Sequence, residues 1–341
     1  MVRQVLLKAW RTRGWIAHLL WPIAQIHRLL VWFRYRMYRV GLFASERFHV
    51  PVIIVGNVVA GGAGKTPVVI ALVRHLQASG QTVGVISRGY ARSGRHSLEV
   101  TPDTPVHASG DEPALIRKKT GAPVFVSRWR IDAMRALLVF YPATSVVVCD
   151  DGLQHYALQR DIEIVVFDDS GTGNGWLMPA GPLRESWPNR RCHGVDLVLH
   201  TGRKSAFEGF GSSRQLAAHA LAVDGRQVPL VDLAHRPVIA LAGIAHPDNF
   251  FDMLRVRGLT LTKTLTWPDH HVFKPSDLEA LAGHTVLCTE KDAVKLFALR
   301  GLAKLDLLAV PLEFAPEPAF FNALDALLAP LISQLPSRHG H

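Results

Sequence analysis

The chain has 341 residues and a formal net charge of +10, with 38 lysines and arginines against 28 aspartates and glutamates. Apolar residues make up 48% and charged residues 19%, which excludes a globally disordered chain and can supply the cores of two domains. The three cysteines, Cys149, Cys192 and Cys288, form no pairwise motif, so neither a disulfide framework nor a cysteine zinc site is expected.

Residues 1–45 form a basic segment rich in aromatic side chains. No Asp or Glu precedes Glu46, whereas eight lysines and arginines do. The uncharged stretch from Gly14 to His27 is shorter than the roughly 20 apolar residues of a spanning helix, and it contains Pro22. Arginines mixed with aromatic residues are typical of a helix that lies in a membrane interface, and we predict such an arm here. A helix packed on the protein's own surface and a nucleic-acid patch are the alternatives, although no nucleic-acid-binding module accompanies the charge.

A glycine-rich segment follows the β-branched run Val52–Val55 and ends in Gly64-Lys65-Thr66, where a helix should begin. This pattern predicts a phosphate-binding loop, in which backbone N–H groups and a helix N-terminus face the phosphate oxygens. Lys65 would reach the β- and γ-phosphates, and the Thr66 hydroxyl would ligate Mg²⁺. Val59 stands where the usual pattern has glycine, and an ordinary glycine-rich turn is the alternative. The residues expected to bind the nucleotide are Gly61, Gly62, Ala63, Gly64, Lys65 and Thr66.

Strand-like and helix-like segments alternate along the rest of the chain. Strands are predicted over 82–87, 145–149, 162–167 and 195–200, and helices over 67–78 and 132–141. A second unit is expected to begin with a strand over 238–243, followed by a helix over 247–256, a strand over 285–288 and a helix after Thr289. This order favours an α/β fold with a doubly wound, mainly parallel P-loop sheet and a second, smaller α/β domain. The predicted domains are residues 46–230 and 231–335, after the arm.

Several acidic and imidazole groups lie at positions suited to chemistry. Asp150 and Asp151 follow a buried strand, where P-loop proteins place a magnesium-binding acid, although a surface turn has the same composition. Asp111 could act as base, metal ligand or helix cap. His270 and His271 follow an acid, and loop histidines are the default interpretation of that pair.

Taken in order, these motifs resemble the tetraacyldisaccharide 4′-kinase family of lipid A biosynthesis. The segments that carry the resemblance are Gly56-Asn57, Gly61–Pro67, Ser87-Arg88-Gly89-Tyr90, Gly110–Pro113, Asp150–His155, Gly173-Asn174-Gly175, Pro179–Glu185, Ala242–Ala245, Pro268–His271 and Thr289–Lys295. The resemblance runs from the arm to about Lys295, and Val59 is no departure from this family.

The resemblance implies transfer of the γ-phosphoryl of ATP, with Mg²⁺, to the 4′-hydroxyl of an acylated disaccharide 1-phosphate. The reaction would take place at the cytoplasmic face of the bacterial inner membrane, with no nucleic acid and no obligate protein partner. Asp111 would be the base, His270 its partner across a cleft, Lys65 a phosphate-binding catalytic residue, and Thr66, Asp150 and Asp151 the magnesium site. The candidate substrate residues are Arg88, Asn174, Arg184 and Glu185. Two alternatives stay open: a P-loop kinase or ligase with a soluble acceptor, and a membrane-associated ATPase switch.

Overall fold

A computed structural model describes residues 9–89, 92, 94, 96–188, 195–203, 205, 207–299 and 305–334. The predicted arm contains helix α1, Trp15–Arg39, which continues through Pro22. Only Ala17 and Ala24 of this helix are buried, and Ala24 packs against one face of the first sheet. In the described ranges, no helix combines the length and apolar character that a bilayer crossing requires.

The first sheet has seven strands in the order β3-β4-β2-β5-β1-β6-β7. All neighbours are parallel except the β3–β4 pair. The strands are β1 Val52–Gly56, β2 Val83–Ser87, β3 Leu98–Glu99, β4 Val124–Val126, β5 Val146–Asp150, β6 Ile162–Phe167 and β7 Val195–His200. The buried β-branched runs of β1 and β5 suit a parallel sheet covered on both faces. This architecture confirms the predicted fold class.

Helices cover both faces of the first sheet. They are α2 Lys65–Ala78, α3 Val106–Ser109, α4 Asp111–Thr120 and α5 Arg130–Phe140. Residues of α2 and α4 pack into one core, and residues of α5 pack into the core on the opposite face. The phosphate-binding segment therefore connects a central strand to a helix that is anchored in the core.

The second sheet has six strands in the order β10-β9-β14-β13-β11-β12. They are β9 His219–Ala222, β10 Gln227–Pro229, β11 Val238–Ala242, β12 Leu261–Thr266, β13 Thr285–Thr289 and β14 Asp306–Val310. Helix α6 spans Pro247–Val256, as predicted, and helix α7 spans Glu290–Leu296. Thr289 caps α7, because its side chain accepts a hydrogen bond from the backbone N–H of Asp292.

Two segments join the units in a way that the periodicity did not indicate. Strands β8, Ser212–Leu216, and β15, Leu312–Pro316, form a separate antiparallel pair. The last helix, α8 at Pro318–Ser333, buries Phe320 and Leu324 in the core of the first sheet. Conversely, β9 and β10 precede residue 230 and belong to the second sheet. The predicted domain limits, 46–230 and 231–335, stay a prediction. Strands β9 and β10 pair in the second sheet, and α8 packs in the core of the first.

Candidate active site

The glycine-rich segment lies at the carboxyl end of β1, directly before α2. Gly64 has φ +71, a left-handed conformation that glycine adopts without strain, and α2 begins at the next residue. Lys65 Nζ lies 3.2 Å from Asn57 Oδ1 and 3.4 Å from Asp151 Oδ1. Asn57 in turn donates to the carbonyl oxygen of Val59 at 2.7 Å, so it links the lysine to the loop. The conformation and the helix start agree with a phosphate-binding loop.

Asp150 is brought beside this loop by the strand register. Val55 of β1 pairs with Asp150 of β5, so the two strands end at the same edge of the sheet. Ser87 Oγ, from the end of β2, donates to Asp150 Oδ2 at 3.0 Å. The other oxygen, Oδ1, is buried and has no hydrogen-bond partner among the described residues. Burial and the charges of Glu112 and Asp151 raise the pKa of the Asp150 carboxyl, so the site favours an added positive charge.

Asp151 has a different environment from its neighbour. Its Oδ1 lies 3.4 Å from Lys65 Nζ and 3.5 Å from Arg184 Nη1. Burial acts to raise the pKa of Asp151, but the charges of Lys65 and Arg184 outweigh it and lower that pKa. Arg130 holds the turn from the other side, donating from Nη2 to the carbonyl oxygen of Asp151 at 2.8 Å. Asp151 is thus an ionised carboxylate that orients the side chain of Lys65.

Arg130 was not among the predicted site residues. It is almost fully buried in the first turn of α5, where the helix dipole disfavours a cation. An arginine at the start of a helix is therefore a sequence signal that its side chain pairs with another element, here the Asp151 turn.

Asp111 and His270 meet across the boundary between the two sheets. Asp111 is buried at the start of α4, and His270 lies in the turn after β12. His270 Nδ1 lies 3.0 Å from Asp111 Oδ1 and 3.1 Å from Oδ2, so the ring donates to the carboxylate. The two residues are separated by 159 positions in the chain.

The protonation of this pair follows from its surroundings. Burial acts to raise the pKa of Asp111, but the hydrogen bond from His270 and the charge of Lys291 outweigh it and hold that pKa well below its ordinary value. The hydrogen bond to Asp111 raises the pKa of His270. Both shifts favour the charged forms of the pair, the carboxylate of Asp111 and the imidazolium of His270.

Backbone conformation marks two of these residues. Among the described residues other than glycine, Asp151 and His270 have positive φ values, +50 and +63. Such conformations cost on the order of 1–3 kcal/mol and concentrate at functional sites. The backbone conformation of Asp151 and His270, in addition to their contacts, therefore supports placing both in the candidate site.

A cleft of about 1150 Å³ extends from the phosphate-binding segment between the two sheets. Lys65 and Thr66 line one end, and Glu112, Asp269 and Lys291 line its wall near Asp111. Both units line the remainder, where apolar side chains, including Ile70, Phe250, Met253, Phe314 and Phe321, stand beside charged ones such as Arg74, Asp168 and Arg214. A concave site that combines apolar walls with a few charged groups has the form of a ligand-binding cleft.

The four candidate substrate residues differ in their surroundings. Asn174 is buried, and its amide nitrogen donates to the carbonyl oxygens of Ala9, at 3.1 Å, and Ala180, at 2.9 Å. Its Oδ1 accepts from the backbone N–H of Trp176 in the same loop at 3.0 Å. The amide of Asn174 therefore links this loop to Ala9, at the start of the described residues. A contact between Asn174 and substrate stays a prediction.

Arg184, Glu185 and Arg88 lie nearer the charged end of the cleft. Besides Asp151, Arg184 contacts Gln154, at 3.4 Å, and its carbonyl oxygen lies 3.2 Å from His27 Nε2 on α1. Glu185 is buried and accepts from Gln154 at 2.8 Å and from Tyr156 at 3.1 Å. Arg88 is exposed at the end of β2, one residue beyond Ser87. Arg184 thereby connects Asp151 to α1.

The residues in the described ranges form no group of three or more His, Cys, Asp or Glu side chains able to hold a metal ion. A kinase magnesium site does not require one, because Mg²⁺ takes one or two carboxylates and completes its shell with phosphate oxygens and water.

His270 and His271 contact different carboxylates. His270 contacts Asp111, whereas His271 Nε2 lies 3.1 Å from Asp277 Oδ2. The default interpretation of His271 as a loop histidine agrees with that contact.

Comparison with known proteins identifies the relatives of this chain. Residues 16–329 match the family model described as LpxK, tetraacyldisaccharide-1-P 4′-kinase. A tetraacyldisaccharide 4′-kinase of Polaromonas naphthalenivorans (strain CJ2) is 72% identical over 340 residues, which cover 100% of this chain and 99% of the relative. One from Acidovorax sp. (strain JS42) is 52% identical over 331 residues, covering 95% and 94%.

A solved structure extends the comparison to the fold. LpxK from Aquifex aeolicus, crystallised in complex with ATP, superposes with a TM-score of 0.76 at 27% identity. The match covers 93% of this chain and 99% of that protein. With the family match over most of its length and relatives of this similarity, the chain belongs to the tetraacyldisaccharide 4′-kinase family.

Proposed function

We propose that this protein transfers the γ-phosphoryl group of ATP to the 4′-hydroxyl of a tetraacylated disaccharide 1-phosphate. The observation that carries the proposal is the Asp111–His270 pair, held at 3.0 Å beside a cleft that begins at the glycine-rich loop and is lined by the neighbouring Glu112 and Asp269. Phosphoryl transfer needs positioning and charge stabilisation, and this cleft offers a lysine, a helix N-terminus and a carboxylate together.

The nucleotide would bind with its phosphates on the loop. Backbone N–H groups over residues 61–66 and the start of α2 would face the phosphate oxygens, with Lys65 on the β- and γ-phosphates. The partners of Lys65, Asn57 and Asp151, fix the direction of its side chain. The apolar side chains of the cleft wall near Ile70 would contact the nucleotide base.

The carboxylates beside the loop suit a divalent cation. The buried Asp150 Oδ1 has no hydrogen-bond partner among the described residues, and its carboxyl is short of positive charge. Asp150, Asp151 and the Thr66 hydroxyl are the residues that would hold Mg²⁺, directly or through water. When bound, the ion would neutralise charge that develops on the phosphate oxygens.

The proton of the acceptor hydroxyl would pass to Asp111. The hydroxyl oxygen forms a bond to the γ-phosphorus, the bond from phosphorus to the β–γ bridging oxygen breaks, and ADP leaves. Asp111 is ionised and therefore able to accept the proton, and His270 fixes the plane of its carboxylate. The loose transition state requires little proton transfer early, so a weakly basic carboxylate suffices.

The lipid acceptor would reach the cleft from a membrane surface on which α1 lies. Trp15, Leu19, Ile23, Ile26, Leu30 and Phe33 are all more than half exposed. They recur every three or four residues and so form one stripe along the helix, here called the α1 stripe. Arginines on α1 would contact anionic head groups while the stripe enters the acyl region. Since ATP is supplied in the cytoplasm, the surface would be the cytoplasmic face of the inner membrane.

Two of the substrate candidates, Arg184 and Arg88, would face the anionic sugar head. Arg184 joins α1 to the metal-site acids through its contacts with His27 and Asp151. Arg88 is the exposed cation nearest in sequence to Ser87, which contacts Asp150. Glu185 would orient its neighbours through Gln154 and Tyr156, and Asn174 would hold the arm against the loop that carries them.

The proposal is tested with γ-labelled ATP, Mg²⁺ and detergent-dispersed tetraacyldisaccharide 1-phosphate, with Lys65→Ala as the control variant. Label should appear in the lipid with wild-type protein and fall at least about 100-fold with the variant. Unlabelled lipid with folded protein that binds ATP would contradict the lipid acceptor. Labelling of a soluble acceptor would then favour another P-loop kinase, and nucleotide-dependent partner binding without product would favour an ATPase switch.

A further inference from the structure

Helix α7 directs two lysines, one turn apart, toward the carboxylate of Asp111. Lys295 Nζ lies 3.5 Å from Asp111 Oδ2, and Lys291 Nζ lies 4.0 Å from the same oxygen. Residues four positions apart share one face of a helix, so the two ammonium groups approach Asp111 together. Sequence analysis assigned neither lysine a role.

Lys295 has a buried ammonium nitrogen with an unusual set of neighbours. Its ammonium lies 3.4 Å from Asp292 Oδ1 and 5.3 Å from the centre of the Phe273 ring, in addition to Asp111. Its Nζ has no partner of hydrogen-bond geometry among the described residues. Burial of such a group is unfavourable unless opposite charges compensate it, which ties Lys295 to Asp111 and Asp292.

Lys291 extends the same arrangement across the cleft. Its Nζ lies 2.9 Å from Glu112 Oε1 on α4 and 3.2 Å from Asp269 Oδ1. Asp269 directly precedes His270, so one ammonium links the helix that carries Asp111 to the turn that carries its partner. Burial acts to lower the pKa of Lys291, but Glu112, Asp111 and Asp269 outweigh it and raise that pKa, so Lys291 stays charged.

The groups that face Asp111 therefore come from three directions. His270 donates to both carboxylate oxygens from the turn after β12, and Lys291 and Lys295 approach Oδ2 from α7. On its own helix, the backbone N–H of Glu112 donates to Asp111 Oδ1 at 3.0 Å, while the Glu112 carboxylate is engaged with Lys291. Each oxygen of Asp111 thus has donors or cations that restrict its rotation.

We propose that Lys291 and Lys295 are positioning residues, which hold the ionised Asp111 carboxylate in a single orientation when α7 lies against α4. This inference rests on the proposed function, since Asp111 matters only if it accepts a proton there. Nearby cations lower the basicity of a carboxylate, so the two lysines act by orientation and by keeping Asp111 ionised. Small displacements of a reacting group are costly, up to about 100-fold for about 1 Å.

A second ion pair between the same helices supplies a matched control. Lys119, on the last turn of α4, pairs with Glu290, the first residue of α7. Lys119 lies eight residues after Asp111, or about 12 Å along the helix. A loss of Lys119 would loosen the contact between the helices without removing a charge from Asp111.

The test compares Lys295→Met and Lys119→Met in the lipid phosphorylation assay, with ATP affinity and thermal unfolding measured on the same preparations. Lys295→Met should lower kcat about 10- to 100-fold and leave KM for ATP within about twofold. Lys119→Met should leave kcat within about twofold. An unchanged kcat in Lys295→Met overturns the inference, as does an equal loss in both variants, which would assign the effect to the interface as a whole.

Lys291 provides the second test if Lys295→Met fails to fold. Lys291→Gln should lower kcat about 3- to 30-fold, and Lys291→Arg, which keeps the charge, should recover most of that loss. Equal activities of the Gln and Arg variants would contradict an electrostatic role. If the wild-type protein leaves the lipid unlabelled, the proposed function fails; if it labels the lipid and the lysine variants match it, only the present inference fails.

Discussion

The cleft and helix α1 differ in which side chains they expose to solvent. In the cleft, charged side chains are withdrawn from solvent and matched across elements, as in Asp111 with His270, Asp151 with Lys65, and Glu112 with Lys291. Along α1, apolar side chains are presented to solvent, and only two alanines of the helix are buried. An exposed apolar stripe of this length indicates a contact outside the molecule.

The comparison indicates how one protein can handle an amphipathic acceptor. The cleft suits phosphates and a sugar hydroxyl, because Lys65 and the start of α2 lie at one end and the ionised Asp111 lies beside its wall. The α1 stripe suits acyl chains or the bilayer that contains them. His27 and Arg184 join the two regions, since Arg184 contacts His27 of α1 through its carbonyl oxygen and Asp151 through its guanidinium. Variants away from His27 and Arg184 that change one region should leave the ligand binding of the other region intact.

The largest expected effect is in the cleft. Asp111→Asn removes the proposed proton acceptor and should lower kcat about 10²- to 10⁴-fold, the usual contribution of general base catalysis. The dissociation constant for ATP and the flotation of the protein with liposomes should stay within about twofold. These are measured by calorimetric titration and by density-gradient flotation. Wild-type turnover in this variant would remove Asp111 from the mechanism.

Substitution of His270 should have a smaller effect of the same kind. His270→Gln retains a hydrogen-bond donor but removes the positive charge, so Asp111 stays in place with a less defined orientation. We expect kcat to fall about 10- to 100-fold. His271→Gln is the matched control, because the neighbouring ring contacts Asp277 instead. Equal losses in the two variants would mean that the turn, and not the pair, limits turnover.

The α1 stripe should affect membrane recovery and leave nucleotide binding unchanged. The triple variant Leu19→Gln, Ile26→Gln and Phe33→Gln should lower the fraction that floats with anionic liposomes at least about tenfold, because each buried apolar side chain contributes about 1.5–3 kcal/mol. The control replaces by Gln three apolar residues elsewhere that are even more exposed, Val139, Val231 and Val256. Flotation that is equal in both triple variants would count against the stripe as the membrane contact.

The smallest expected effect is a pH dependence of stability. The pKa of His270 is raised in the folded protein, so its contribution is fully present below its ordinary value of 6.5 and is lost as pH rises through the raised pKa. The pKa of Asp111 is lowered, so its own contribution persists to acid pH. The unfolding temperature of the wild type should exceed that of His270→Gln by a few degrees at about pH 6, and by less at about pH 9.

Differential scanning calorimetry at the two pH values measures this difference. His284→Gln serves as the control, since His284 contacts a carbonyl oxygen of its own loop. A difference that is the same at both pH values would show that the His270 contact makes no use of its charge.

Local patterns were sufficient for the parts of the site formed by adjacent residues. The glycine-rich segment, Lys65 and Thr66 follow one strand, and Asp150 ends another, so strand ends in a parallel sheet predict their proximity. A helix after Thr289 was likewise predicted, and α7 begins there, with Thr289 as its cap. The strands and helices that were predicted for the first sheet agreed with the structure within about two residues, because buried β-branched runs end at turn residues; the short strands β3 and β4 were not predicted.

Contacts between distant segments could not be obtained in this way. The Asp111–His270 pairing followed only from the family resemblance, since 159 residues separate the two side chains and no periodicity relates them. Lys291, Lys295, Asn57 and Arg130 were given no role, because their partners lie on other elements. The same limitation applies to α8, which was not predicted and whose Phe320 packs in the core of the first sheet.

The most direct test of the whole account is the position of the new phosphate in the product. Product from wild-type protein, ATP and the disaccharide 1-phosphate is examined by phosphorus–proton correlation NMR. We predict one new phosphate monoester signal correlated with the proton on carbon 4′ of the distal sugar. A new phosphate located at any other position, or inorganic phosphate as the sole new phosphorus species apart from ADP, would contradict the account.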